Sequence, residues 1–206
     1  MFIDPAQTLR PPPLAHSPFK ALVVPRPIGW ISTRGRNGAV NLAPYSFFNA
    51  ISEDPPCVLF CAGGQHRDGG LKDSLKNAEE TGEFVYNLVT ADLAQAMNRT
   101  AAHEPRDVDE MALAGLTAAP SRNVKPPRVA ESPASFECRT LQIVVPDHPR
   151  ARGRVAIVLG EVVGIHLRDD VIVDGRVDIG RLRPLARLGD NDYTVVERAF
   201  PMARPD

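Results

Sequence analysis

Cysteine is scarce: Cys57, Cys61 and Cys138 are the three in 206 residues. So odd and sparse a set offers no disulfide scaffold and suits a reducing compartment. Cys57 and Cys61 close the run Cys-Val-Leu-Phe-Cys, which reads as a buried strand. Four residues along a strand span about 13 Å, too far for two thiolates on one zinc ion. They read as small core side chains, and no metal site is expected. An excess of one charge sign is also missing. The formal net charge is -1, so no global field gathers nucleic acid or an anionic membrane surface. No apolar run approaches the roughly 20 residues that span a bilayer. Met1 to Phe19 is broken by prolines and does not read as a signal peptide, so a cytoplasmic location is expected.

Several catalytic signatures are absent. There is no Gly-x-Gly-x-x-Gly for a dinucleotide and no Gly-x-Ser-x-Gly elbow. Gly64-Gln65-His66-Arg67-Asp68-Gly69 has the glycine spacing of a phosphate loop, but Gly70 stands where the lysine belongs. The histidines at 16, 66, 103, 148 and 166 are scattered, with no pair at helical metal spacing. They read as structural or solvated, His66 standing apart in its glycine-rich loop. Glu79-Glu80 and Asp169-Asp170 are adjacent, point apart, and read as solvated faces.

What is present suits a globular protein with a real core: 43% of residues are hydrophobic and 24% charged. Residues 1–20 read as a Pro-rich arm tied to the surface or to a partner subunit. Short strands follow. Ile28–Thr33 and Ala39–Ala43 flank the hairpin signal Asn37-Gly38. Cys57–Cys61 and Glu83–Val89 read as strands, with a helix between them over Ser74–Thr81, capped by Asp73 and stopped by Gly82. A second helix is expected over Ala91–Thr100 and a short one near Glu110–Ala114. Ala134–Val145 and Arg154–Leu167 read as long strands, Val171–Val173 and Tyr193–Val196 as short ones. With no run of βαβ units, the fold expected is mainly β, an antiparallel barrel with peripheral helices.

Two segments carry chemistry. Gly69 to Asn77 runs from a glycine-rich loop into a helix. A helix start offers free N–H groups and partial positive charge. With the ammonium of Lys72 and the hydroxyl of Ser74 it makes a site for a phosphate monoester, although plain capping explains the same residues. Asn41 to Asn49 gathers hydroxyl, amide and aromatic groups in one loop. That mixture suits a flat heteroaromatic ring with polar edges, and equally a Phe-rich core turn.

The ordered set of short strings is more specific. Arg26-Pro27-Ile28-Gly29-Trp30-Ile31-Ser32-Thr33, Asn41-Leu42-Ala43-Pro44-Tyr45-Ser46-Phe47-Phe48-Asn49 and Lys72-Asp73-Ser74 occur in sequence. Glu131-Ser132-Pro133, Glu137-Cys138, Gly160-Glu161-Val162 and Arg183-Pro184-Leu185-Ala186-Arg187 follow. Together they resemble the flavin reductase-like, FMN-binding split-barrel family. The resemblance implies a Greek-key split β-barrel over residues 21–206 and a homodimer holding FMN near its interface, with FAD possible. It implies NAD(P)H as co-substrate, with no catalytic side chain assigned, or alternatively an electron carrier or the reductase component of a monooxygenase. By similarity, Ser46, Phe47, Phe48 and Asn49 lie along the flavin, Lys72 and Ser74 hold its phosphate with Asp73 between them in the cofactor-binding set, and Trp30, Ile31, Ser32 and Thr33 approach the ring or tail. Arg187 and Tyr193 are further candidates.

Overall fold

Trp30 and Ile31 are neighbours on one strand, yet they bury into two different cores. Successive side chains on a strand point to opposite faces, so a strand with both faces covered reads as continuously apolar or small. Gly29–Arg34 is such a strand, buried at every position except Arg34. A computed structural model describes this strand and the rest of residues 1–147 and 155–205. His148 and Arg154 lie outside the described residues.

Seven strands form the main sheet: β1 (Gly29–Arg34), β2 (Val40–Tyr45), β3 (Phe48–Glu53), β4 (Pro56–Gly63), β5 (Glu83–Asn87), β6 (Ala134–Val144) and β7 (Val155–Leu167). Their order is β2-β1-β5-β6-β7-β4-β3, and every pairing is antiparallel. The sheet curls until its two ends meet. Tyr45 of β2 packs on Phe60 of β4 with ring centroids 5.1 Å apart, although four strands separate them in the sheet. Phe48 of β3 stacks on Tyr86 of β5 at 4.5 Å. Register shifts between β6 and β7 at Leu159/Gly160 and Val162/Gly164 help the sheet to bend.

The curled sheet encloses the first core, built on Ile31, Phe60, Phe84 and Val158. Helix α1 (Asp73–Thr81) packs on it through Leu75 and Ala78, and stops at Gly82, whose φ of 71° takes the left-handed cap. The second core lies on the other face of β1 and holds Trp30, Leu42, Met97 and Met111. Helix α2 (Ala94–Arg99) and the short α3 (Glu110–Leu113) bring its methionines.

Gly160 is where the first core is tightest. A Cβ there would sit 2.4 Å from the ring of Phe84, which is fully buried. Gly160→Ala is expected to cost about 1–3 kcal/mol through overpacking. Urea unfolding checks this, and an unchanged midpoint would show that the ring can move aside.

Most of the expected elements occur, with informative differences. Helix α1 is capped at Lys72, not Asp73; Asp73 is its first residue and its carboxylate turns to Arg106. The expected loop over 41–49 is two strands, β2 and β3, joined by Ser46 and Phe47. β3 is an edge strand exposed after Phe48, so no burial pattern marks it. Ala91–Leu93 is a 3-10 turn leading into α2. Val171 ends another such turn, before a two-residue strand at Ile172–Val173. A small second sheet, made by Arg26–Pro27, β8 (Leu185–Arg187) and β9 (Tyr193–Val195), joins the two ends of the domain.

Candidate functional site

The turn between β2 and β3 and the loop leading into α1 face each other across a cleft of about 340 Å3. Segment 100–104 and Glu110 close its other side. The walls are mixed. Pro44, Phe47, Cys61 and Ala102 give apolar surface; Tyr45, Ser46, Lys72 and His103 give hydroxyl, ammonium and imidazole groups.

The cationic end is built at the start of α1. Lys72 Nζ lies 2.9 Å from His103 Nδ1 and donates to it. Burial lowers the Lys72 pKa, and the nearby Asp73 opposes this. The first N–H groups of α1 have no acceptor one turn back. Arg106 locks the loop that presents them. Its guanidinium grips both oxygens of Asp68, at 2.7 and 2.8 Å, donates to Leu71 O at 3.0 Å, and binds Asp73. The hydrogen bonds from Arg106 hold the Asp68 carboxyl far below the usual carboxylate range. His66, with its side chain 8% exposed, reaches Glu104 O at 3.1 Å and ties this loop to segment 100–104.

The acids that line the cleft are paired or held at a raised pKa. Asp73 pairs with Arg106, and Glu104 with Arg99 at 3.1 Å. Glu110 is buried, accepts the Leu42 N–H at 3.1 Å, and has its pKa pushed up to about 7 by burial, with Asp73 and Asp109 adding to the rise. Between the ordinary value of about 4.5 and 7, the folded chain keeps a proton that the unfolded chain has lost. Stability from this group is therefore full below about 4.5 and falls as pH rises through 7. Glu110→Gln keeps an acceptor for Leu42. It is expected to flatten this slope and raise stability at pH 8 by on the order of 1–2 kcal/mol. Denaturation midpoints at pH 5 and pH 8 test this, and parallel pH slopes in both proteins would rule Glu110 out.

The structure brings Ser46, Phe47, Lys72 and Asp73 together on the cleft. Ser74 stands behind its wall, 1% exposed, with its Oγ accepting from Asn41 Nδ2 at 2.8 Å. Trp30, Ile31, Ser32 and Thr33 are fully buried. The Trp30 indole donates to Thr100 Oγ1 at 2.9 Å, Ser32 to Pro127 O at 2.5 Å, and Thr33 accepts from Asn77 at 3.0 Å. Phe48 points into the first core, while Asn49 is exposed on the edge strand. Arg187 lies over the Tyr193 ring, 4.4 Å from its centroid, in the small sheet. That sheet abuts the cleft through Arg26, which pairs in register with Arg187 and lies 5.8 Å from the Phe47 ring. Tyr45, Cys61, His103, Arg106 and Glu110 join the site from the structure. Tyr45 stood in the quoted loop, and its hydroxyl was the available signal. His103 and Arg106 sit in a segment without pattern, and only their packing on the 66–73 loop marks them.

The chain belongs to the flavin reductase like domain family, which matches residues 21–181. An uncharacterised protein of Deinococcus radiodurans is 41% identical over 205 residues, covering 96% of this chain and 87% of that protein. Among solved structures, nitrilotriacetate monooxygenase component B from Bacillus cereus superposes with a TM-score of 0.87 at 27% identity, covering 98% of each chain. The 2-nitrobenzoate 2-nitroreductase of Pseudomonas fluorescens gives 0.76 at 28% identity, covering 91% of this chain and 88% of the other. The curled sheet is thus the split barrel of this family. Among the described residues no helix is long and apolar enough to cross a membrane, and no group of His, Cys, Asp and Glu is placed to hold a metal ion.

Proposed function

We propose that the chain binds one FMN in this cleft and is a flavin-dependent oxidoreductase, taking hydride from NAD(P)H. The observation that carries the reading is Lys72 at the start of α1, with its Nζ on the cleft beside His103. The donor set fits the group. Lys72, His103 and the free N–H groups of α1 suit a phosphate, with FAD an acceptable variant at the same end. Tyr45, Ser46 and Phe47 suit the edge and face of a flat ring. Flavin held there would supply the redox chemistry, as the acceptor of hydride. The residues of this chain bind and orient. Lys72 holds the phosphate charge, Arg106 keeps the loop in place, and Pro44, Phe47 and Cys61 keep water from one side of the cleft. No side chain is assigned an acid or base role.

A second reading has support of its own. The resemblance to a monooxygenase component B spans 98% of the chain, which favours a reductase that passes reduced flavin to a monooxygenase partner. A homodimer suits the exposed apolar residues Leu141, Ile165 and Leu167 on β6 and β7, and a cytoplasmic location suits the three free cysteines. The visible spectrum of the purified protein, taken with FMN and then with NADH or NADPH, tests the main reading. Flavin bands bleached by either nucleotide support it. A chain that takes up no flavin, or one that turns over neither nucleotide with FMN or FAD, sinks it. Reduction by a protein donor alone selects the electron-carrier reading.

A further inference from the structure

A second pocket, of about 450 Å3, opens where the start of β6, the end of β7 and the loop 121–128 meet, and it shares no lining residue with the flavin cleft. Three arginines line it, Arg122, Arg128 and Arg168, together with His166 and one acid, Glu137. That acid is spent on the protein itself. Its Oε1 accepts from Arg122 N at 2.8 Å and lies 2.5 Å from His166 Nε2, while its Oε2 accepts from Asn123 N at 2.5 Å. Arg168 pairs with Asp170 at 2.9 Å. Among the described residues, Arg122 and Arg128 have no carboxylate partner. Arg128 makes two long bonds to Pro120 O, at 3.3 and 3.2 Å, and the Arg122 guanidinium makes no hydrogen bond to the described residues. The loop that carries them is pinned. Ser121 Oγ donates to Pro126 O at 2.6 Å, and Asn123 Nδ2 to Val163 O at 2.8 Å. The backbone that carries the guanidinium groups is therefore a fixed frame around a polar hollow whose one carboxylate, Glu137, is already engaged by Arg122 N, Asn123 N and His166. Guanidinium forks match the planar edges of carboxylate and phosphate.

We propose that this pocket binds an oxyanion, the phosphate or carboxylate group of a small molecule, between Arg122 and Arg128. Titration calorimetry of the purified chain with inorganic phosphate, and separately with malonate, tests it at ionic strength held constant with chloride. Three proteins are compared: wild type, Lys72→Ala and Arg122→Ala/Arg128→Ala. At least one probe is expected to bind saturably, to keep its affinity in Lys72→Ala, and to bind roughly tenfold or more weakly in the arginine variant, as for a lost charged hydrogen bond. Which probe binds tells a phosphate ligand from a carboxylate one. If neither probe binds saturably, the site is overturned. It is equally overturned if binding survives in the arginine variant or is lost in Lys72→Ala, which would assign the probe to the flavin cleft. Arg122→Ala alone, at an exposed side chain, keeps the test readable should loss of Arg128 disturb the loop.

Discussion

Glu137→Ala is expected to lower stability by about 2–4 kcal/mol, the cost of leaving two backbone N–H groups without their acceptor. Glu137 is fully buried on β6. Burial alone pushes its pKa up, yet the N–H of Arg122, the His166 ring and the N–H of Asn123 together hold it below the ordinary value. The carboxylate is thus the acceptor for two backbone N–H groups and one imidazole. Alanine leaves those N–H groups without a partner, and an unmade buried hydrogen bond costs more than a made one contributes. The sign of the pH effect follows from the lowered pKa. The contribution is full above the unfolded carboxyl value and is lost as pH falls through the folded one. Urea unfolding at pH 7 measures the loss. The gap between wild type and Glu137→Gln should close in acid. A loss below about 1 kcal/mol at pH 7 would mean that solvent replaces the carboxylate.

Lys72→Ala is expected to weaken FMN binding by about 1–3 kcal/mol, a loss of roughly fivefold to over a hundredfold in affinity. Lys72 is only partly buried and its ammonium bonds to His103, so its loss should leave the unfolding midpoint within about 0.5 kcal/mol of wild type. Lys72→Arg keeps the charge but not the compact ammonium, and should recover part of the affinity. Flavin fluorescence titration reads all three proteins. Equal affinity in Lys72→Ala would take Lys72 out of the site, while the family membership would stand.

The two experiments probe residues of unequal legibility. Lys72 was readable because a helix start after a glycine-rich loop is a local feature, complete within about nine residues. Glu137 appeared in the family string, but its role was not, because its partners lie at 122, 123 and 166. The strand Trp30 to Thr33 shows the same limit. Its polar and aromatic residues look available to a ligand when read in line. The structure buries them because β1 is covered on both faces, by α1 on one side and the second core on the other.

The sequence by itself determined the local features: that β6 is a long strand, that α1 is a helix with its Gly82 stop, the absence of metal and dinucleotide motifs, and the ordered strings of the family. These rest on spacing within a few residues, where backbone geometry sets which side chains share a face. Only the tertiary structure decided that Phe48–Glu53 is an edge strand, that Arg26 and Arg187 close a small sheet, that His103 lies beside Lys72 on the cleft, and that Arg106 locks the loop into α1. Apart from the edge strand, those features join residues about 30 to 160 apart. Loop closure over such distances leaves no local period, and the ion pairs that result depend on packing that no single segment encodes.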